Sequence, residues 1–318
     1  MVIDVDATLV GVHSEKEGAA PTFKKGFGYH PLTAWFDYGT GQGAGECAAL
    51  VLRPGNAGSN TAADHVEIIR RALDQAGLGP RPGRKVLVRI DGAGGTKETI
   101  EFLARRRVSY SVGFMLPEHA PQIYDTIPET AWAPAYNADG QPRDGADVAE
   151  NRRPAGPDRL AQGDAGHHAP RAAPSGRPAA LRGRGRLLAD RLRHQHEGGS
   201  ARRSRGAPPA AGPLPGDRIR CAKDTGLDRF PLQGFAANRV WCLIVALACD
   251  LLAFSQLLAL ADAPARAWEP RTIRLRLISI PAVIAHHARR TVLRYKADHP
   301  WTSLLLDGLG HLQALPAP

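Results

Sequence analysis

Two carboxylates stand at the ends of apolar strand-like runs in this 318-residue chain. One run is Asp4-Val5-Asp6-Ala7-Thr8-Leu9, within Val2–Val10; the other is Val86-Leu87-Val88-Arg89-Ile90-Asp91-Gly92. Side chains at strand ends of open α/β sheets face the crevice where ligands bind. Carboxylates on neighbouring strands supply the hard oxygen donors that Mg²⁺ takes. Asp91 has a plain structural reading beside this one, because Asp before Gly opens a turn and caps the helix that follows.

The elements that must position these acids are legible as an alternation of strands and helices. Val2–Val10, Thr33–Asp37, Cys47–Arg53, Lys85–Ile90 and Val108–Phe114 read as strands, with Gly39–Gly45 as the turn joining the second and third. Thr61–Gly77 reads as an amphipathic helix with Val66, Ile69 and Leu73 on one face, Thr61 as N-cap and Gly77 as stop. Lys97–Arg107 is a second helix. The pattern predicts an α/β fold, a mixed sheet flanked by helices.

The middle of the chain departs from this. In Asn151–Gly216, Arg, Ala, Pro and Gly fill more than two thirds of the positions, and Ile, Val, Thr, Lys, Met, Cys and aromatics are absent. A packed core cannot be built from that composition, so disorder is expected. These four residues are also those with codons written in G and C alone, which points to a GC-rich gene read out of frame. The segment holds 13 Arg and four acids, from 41 Lys+Arg and 31 Asp+Glu in the whole chain. The remainder carries 28 basic and 27 acidic residues, so the net charge of +10 is a property of the segment and a weak argument for nucleic acid.

Cys47, Cys221, Cys242 and Cys249 lack disulfide or metal-ligand spacing, which fits a reduced, cytoplasmic compartment. The N-terminus has no signal-peptide pattern and opens inside a strand, so an upstream portion is expected to be missing. Val240–Leu260 is apolar enough to span a bilayer, but Asp250 near its centre favours a helix packed on a sheet, with no membrane partner.

The wording around the acids resembles the DDE transposases of bacterial insertion sequences. The resemblance runs through Val2–Val10, His13–Thr22, Gly26-Phe27-Gly28-Tyr29-His30-Pro31-Leu32, Leu52-Arg53-Pro54-Gly55-Asn56-Ala57-Gly58-Ser59-Asn60-Thr61 and Val88–Gly94. It stops near Asp147 and resumes at Asp217-Arg218-Ile219-Arg220-Cys221-Ala222-Lys223, continuing through Arg274–Ala282.

The resemblance implies an RNase H-like core in which two Asp and one Glu bind two Mg²⁺ ions for in-line displacement at phosphorus. Carried over, Asp6 is the first metal ligand, with Asp4 as the deeper alternative on the same strand face. Asp91 is the second. The third acid is expected seven residues before Lys223, on the same helix face. That position is Gly216, and the accompanying Arg and Tyr positions hold Gly212 and Pro209. Two compensating frame changes, near Asp147–Asn151 and at about Gly216, would produce this pattern, and the copy is expected to be inactive.

Four regions follow: 1–116 as the first part of the core, 117–150 as the start of an insertion, 151–216 as the anomalous segment, and 217–318 as the C-terminal helical part. The implied partners are double-stranded DNA with insertion-sequence terminal repeats, contacted by Lys223, Arg220 and Arg218, and a second transposase copy. A non-catalytic DNA-binding or dimerising remnant is the alternative. The run Asp4-x-Asp6-x-Thr8-Leu9 also resembles the nucleophile loop of haloacid-dehalogenase-like phosphatases, with Asp4 attacking phosphorus, though the second acidic pair of that family is missing after Asp91.

Other groups have plainer readings. His167, His168, His194 and His196 have no partner Cys for a metal site. Arg271, Arg274 and Arg276 alternate with Ile273, Leu275 and Leu277 as in a half-exposed strand, with phosphate contact as the functional option. His286–Arg290 reads as a solvated helix face, and Lys24, Lys25 and Gly26–His30 as a loop after the first strand.

Overall fold

The computed structural model describes residues 1–13, 15–37, 45–83, 85–115, 128–136, 141–151, 178–182, 186–192, 215–287 and 289–316. Its strands are β1 (Val2–Ala7), β2 (Val10–Gly11), β3 (Ala20–Pro21), β4 (Phe27–Tyr29), β5 (Leu32–Asp37), β6 (Glu46–Val51), β7 (Leu87–Ile90), β8 (Ser109–Met115), β9 (Trp132–Tyr136), β10 (Pro142–Asn151), β11 (Pro178–Arg182), β12 (Arg186–Leu192), β13 (Ala282–His287) and β14 (Arg290–Tyr295). Its helices are α1 (Ala62–Gln75), α2 (Lys97–Arg106), α3 (Pro215–Ala222), α4 (Phe235–Phe254), α5 (Pro270–Ile273) and α6 (Thr302–Gln313). The chain forms two compact units, one comprising Met1–Ala7, Leu32–Gly39 and Ala57–Ala210, the other Thr8–Pro31, Thr40–Asn56 and Ala211–Pro318.

The first unit is a mixed sheet. β1 pairs antiparallel with β5 and parallel with β7, and β7 pairs parallel with β8. Ile3, Val5, Ala34, Phe36, Val88, Ile90 and Val112 are buried, as a sheet covered by helices requires. α1 turns His65, Ile68, Ile69, Ala72 and Leu73 inward. This face is rotated from the one expected, since Val66 is only half-buried. Thr61 takes the N-cap position with extended backbone, but its hydroxyl donates to the Gly58 carbonyl at 3.2 Å and caps nothing. Thr96 does cap α2, accepting from the Thr99 amide at 3.3 Å.

Beyond β8 the sheet continues through β11, β12, β10 and β9, all antiparallel. Two of these strands, β11 and β12, fall inside the Arg/Ala/Pro/Gly-rich segment. The backbone ladder runs through them, while the rest of 152–214, with His167, His168, His194 and His196, lies outside the described residues. The turn expected at Gly39–Gly45 also falls almost wholly outside them.

In the second unit, β2, β4 and β3 form a small antiparallel sheet. Lys24 and Lys25 are in its turn as expected, but Phe27–Tyr29 is strand rather than loop, because its backbone groups pair with Val10–Gly11 on one side and Ala20–Pro21 on the other. Two of the runs quoted above meet here. His30 N donates to the Arg53 carbonyl at 3.1 Å, and Arg53 Nε returns a bond to the His30 carbonyl at 2.9 Å. Gly55 lies so close to the Gly28 and Ala20 carbonyls that a Cβ would stand 2.2 and 2.3 Å from them. That contact gives the Pro54-Gly55 pair a packing reason.

α4 packs on β6 but is buried on one face only. Asn238, Cys242, Val245, Cys249 and Ala253 point inward, whereas Val240, Leu243, Ile244, Leu247 and Leu251 are each more than half exposed. The helix is long and apolar enough to cross a membrane by length and composition, so burial against β6 explains only part of its apolarity. Asp250 does have a local partner: its Oδ1 accepts the Cys47 amide of β6 at 2.7 Å. Burial, more than any other influence, raises this carboxyl to about 6; the Cys47 bond opposes the rise and Glu46 adds to it.

Two expectations for the C-terminal part are corrected. Arg271–Leu277 is helical, α5 followed by a wider π-type turn over Arg274–Ile278, not a strand. Pro270 at the first helical position starts it, and Ile273 and Leu277, four apart, share the buried face with Ile280. The expected helix face at His286–Arg290 is not formed: β13 and β14 pair antiparallel, His287 opposite Arg290, with Arg289 in the left-handed region at φ 63°.

Candidate active site

The β1–β7 register decides which carboxylates are available. Asp4 pairs with Arg89 and Val5 with Ile90, where the ladder ends, and Asp6 and Asp91 are the next residues on the two neighbouring parallel chains. Alternate strand residues share a face, which puts Asp6 and Asp91 on the face already marked by Asp4 and Arg89. Asp4 is fully buried, Asp6 is half-buried, and Asp91 is exposed.

Asp4 is committed elsewhere. Arg89 binds it through both oxygens, Nε to Oδ1 and a second nitrogen to Oδ2, and also reaches Asp37 Oδ2 at 3.2 Å. Burial pulls the Arg89 guanidinium down, but the hydrogen bond and charge of Asp4, followed by those of Asp37, outweigh it and hold Arg89 above its ordinary value. A bidentate arginine engages one lone pair on each Asp4 oxygen and sets a positive charge beside it. A metal ion, or an attacking role, at Asp4 would have to compete with that guanidinium.

Asp6 and Asp91 are instead oriented by backbone amides. Asp6 Oδ1 accepts from Ala7 N at 2.8 Å, and its carbonyl accepts from the Thr33 hydroxyl at 2.9 Å. Thr33 is in turn held by Trp35 Nε1 at 3.0 Å. Asp91 Oδ1 accepts from Ala93 N at 3.1 Å, starting the short 3₁₀ turn Gly92–Gly94. The turn-opening reading of Asp91 is therefore realised, and the exposed carboxylate is aimed by the same turn. Tight packing fixes it: a Cβ on Gly94 would stand 2.2 Å from Ile90 Cγ2, and one on Gly113 of β8 would stand 2.7 Å from the Gly92 amide.

Two oriented carboxylates fit one hard divalent cation whose remaining sites are filled by water. Among the described residues no group of three His, Cys, Asp or Glu is placed to hold a metal ion. Gly216 is in the first turn of α3, and the helical backbone from there to Lys223 puts positions 216 and 223 on one face. Gly212 and Pro209 lie outside the described residues.

The residues expected to touch DNA differ in availability. Lys223 donates Nζ to the Leu9 carbonyl at 3.1 Å. Burial draws its ammonium below the ordinary value, Asp228 opposes this, and Lys24 lowers it further. Arg220 is exposed and paired with Glu269 at 2.6 Å. Arg218 is 2% exposed, with its side chain running past Gly45, so as placed it is a core residue. Sequence reasoning passed over Arg89 and Asp37, whose partnership with Asp4 needs three strands to assemble. It also passed over Phe23 and Phe27, which bracket Lys24 and Lys25, although aromatics interleaved with lysines are a readable signal.

A mixed sheet in the order β5-β1-β7-β8, with an acid on its first strand and another on the parallel neighbour, is the RNase H-like arrangement. The family model described as transposase DDE domain group 1 matches residues 1–152 and 216–317. The chain belongs to this family of DDE transposases, and the match leaves out the anomalous segment almost to the residue. Dependence on divalent metal and on DNA is what that membership implies in general. No curated protein matches the sequence. Among solved structures, the chain is similar to one described as the piggyBac transposase synaptic complex with hairpin DNA, at 7% identity and a TM-score of 0.43. The similarity covers 100% of this chain and 55% of that one, so the chain spans just over half its length.

Proposed function

We propose that this chain is a DDE transposase copy that binds the terminal repeats of an insertion sequence but does not cut or join them. Asp6 and Asp91 would hold a single Mg²⁺, which supplies Lewis-acid polarisation at phosphorus when bound. The observation that carries the reading is the placement of Asp6 and Asp91 just beyond the last paired residues of β1 and β7, beside an ion-paired Asp4, combined with Gly216 where the family's third acid is expected. With two carboxylates in place of three, the developing charge of a two-metal displacement is not matched. Loss of one member of a catalytic unit costs orders of magnitude in rate.

The abrupt composition change that ends at Gly216 supports a frameshift origin for the defect. Translating the encoding DNA from Gly145 to Lys223 in all three frames tests this. A Glu codon seven residues before Lys223 in another frame is expected; its absence from every frame would mean a genuine insertion. Pairing with an intact copy of the same protein is part of the proposal, and it would make the chain an inhibitor of transposition.

The direct test is a strand-cleavage and strand-transfer assay with Mg²⁺ or Mn²⁺ on terminal-repeat DNA, run beside a gel shift at low salt. Binding without cleavage is expected. Cleavage that disappears on Asp6→Asn or Asp91→Asn would overturn the inactivity, and no binding at low salt would overturn the DNA-binding role.

A further inference from the structure

The small sheet β2-β4-β3 carries a feature that the carboxylate site does not use. Its turn is Thr22-Phe23-Lys24-Lys25-Gly26, followed by Phe27, so two aromatics bracket two lysines. The turn is tightly closed: Thr22 N donates to the Gly26 carbonyl at 2.8 Å, Lys25 N to the Thr22 carbonyl at 3.0 Å, and Gly26 N to the Thr22 hydroxyl at 3.1 Å. Lys25 holds the left-handed conformation at φ 60°. Beneath it the sheet is anchored by Tyr29, whose hydroxyl donates to the Glu17 carbonyl at 2.7 Å and whose ring meets Phe230 edge-on at 4.9 Å.

On this rigid base Phe23 is 66% exposed. An aromatic ring held out in water at the tip of a fixed turn contributes nothing to a core. Its neighbours are polar: the buried His30 ring is 5.7 Å away at 52°, and Lys24 Nζ is 5.8 Å from the ring centroid. Lys24 also lies within electrostatic range of Lys223, whose Nζ is fixed on the Leu9 carbonyl. Burial is the main cause of the lowered Lys223 ammonium, Asp228 raises it, and Lys24 lowers it by less, so Lys24 adds a second positive charge within electrostatic reach. An anion within reach of both would meet two positive charges. An aromatic face beside an anion site is the pairing that a nucleotide with an unstacked base satisfies.

We propose that Phe23, Lys24 and Lys223 form a contact for single-stranded DNA, with one unpaired base stacked on the Phe23 ring and the adjoining phosphate between the two lysines. On binding, the Lys24 ammonium leaves the ring for the phosphate and the base takes its place. The three residues are expected to select a frayed or unpaired strand over intact duplex, because a paired base has no free face to offer. This rests on the DNA-binding role proposed above and adds to it the strand state that is recognised.

The test is fluorescence anisotropy of the full chain with a short labelled single strand carrying 2-aminopurine, and with the matching blunt duplex. Phe23→Ala is expected to weaken single-strand binding by about 5- to 150-fold, from the usual range of a base–aromatic stack. It should also abolish 2-aminopurine quenching and leave duplex binding unchanged. Phe23→Trp should retain the affinity and be quenched itself. Lys24→Gln and Lys223→Gln should each reduce the dependence of log affinity on log salt by about 0.7 for the single strand. Equal single-strand affinity in Phe23→Ala and the parent chain would overturn this contact while leaving the DNA-binding role intact. Failure to bind either DNA would overturn both.

Discussion

Arg89 on β7 is directly opposite Asp4 on β1 and grips both oxygens of that buried carboxylate. Two residues further along, Asp6 on β1 and Asp91 just past β7 each accept a backbone amide. This strand pair thus carries an ion-paired carboxylate deep in the sheet, a half-buried one at the end of β1 and an exposed one just past β7.

Replacing Arg89 with Met should destabilise the fold by about 3 to 5 kcal/mol, since it removes the cation paired with the buried Asp4 and Asp37. Asp4→Asn should cost less, because Arg89 keeps Asp37 as a partner. Urea denaturation of the two variants checks the order. Equal loss would mean that the ion pair is not what holds the strands.

The glycines around Asp91 should be intolerant of any side chain. Gly113→Ala brings a Cβ against the Gly92 backbone and is expected to cost about 1 to 3 kcal/mol, the usual range for overpacking. A thermal melt of the variant should show a lower midpoint, and Mn²⁺ binding should weaken because the turn aiming Asp91 has moved.

Metal affinity should be weak and shared between the two acids. Asp6→Asn and Asp91→Asn are each expected to remove most Mn²⁺ binding seen by electron paramagnetic resonance, whereas Asp4→Asn leaves it near the parent value. If Asp4→Asn were the damaging change, the assignment of the first ligand to Asp6 would fail.

Asp250 should make stability depend on pH. Its carboxyl is raised to about 6 in the folded chain from an ordinary 3.8, so the folded state holds the proton more tightly than the unfolded state. The stabilisation is fully present below about pH 4 and is lost as pH rises to about 6. Asp250→Asn should therefore gain about 1 to 2 kcal/mol at pH 7.5 relative to its effect at pH 4, allowing for partial exposure. Denaturation midpoints at both pH values check the sign, and no difference would exclude it.

Arg276 should act as a clasp between two tryptophans. Its guanidinium is 4.7 Å from the Trp268 ring centroid and 4.9 Å from that of Trp301, which meet edge-on at 5.0 Å. Arg276→Ala is expected to cost about 1 to 2 kcal/mol and to shift tryptophan emission, with Arg276→Lys keeping part of the effect. An unchanged emission maximum would mean that the two rings hold each other without it.

Much of this was written in local order. The alternation of apolar strands and amphipathic helices from Val2 to Phe114 predicted the mixed sheet, because strand and helix periods are set by neighbours in the chain. Asp6 and Asp91 were visible as strand-end acids, and the gap in family wording at Asn151–Gly216 was visible as composition. Tertiary structure decided what depends on partners far apart in sequence. Arg271–Leu277 alternates like a strand, yet it folds as a helix because Ile273 and Leu277 bury together with Ile280, a packing gain that outweighs local pattern. Asp4 and Asp6 are equivalent by spacing, and only the arrival of Arg89, 85 residues away, ties Asp4 into an ion pair. Register across strands is a property of the assembled sheet, and no single strand carries it.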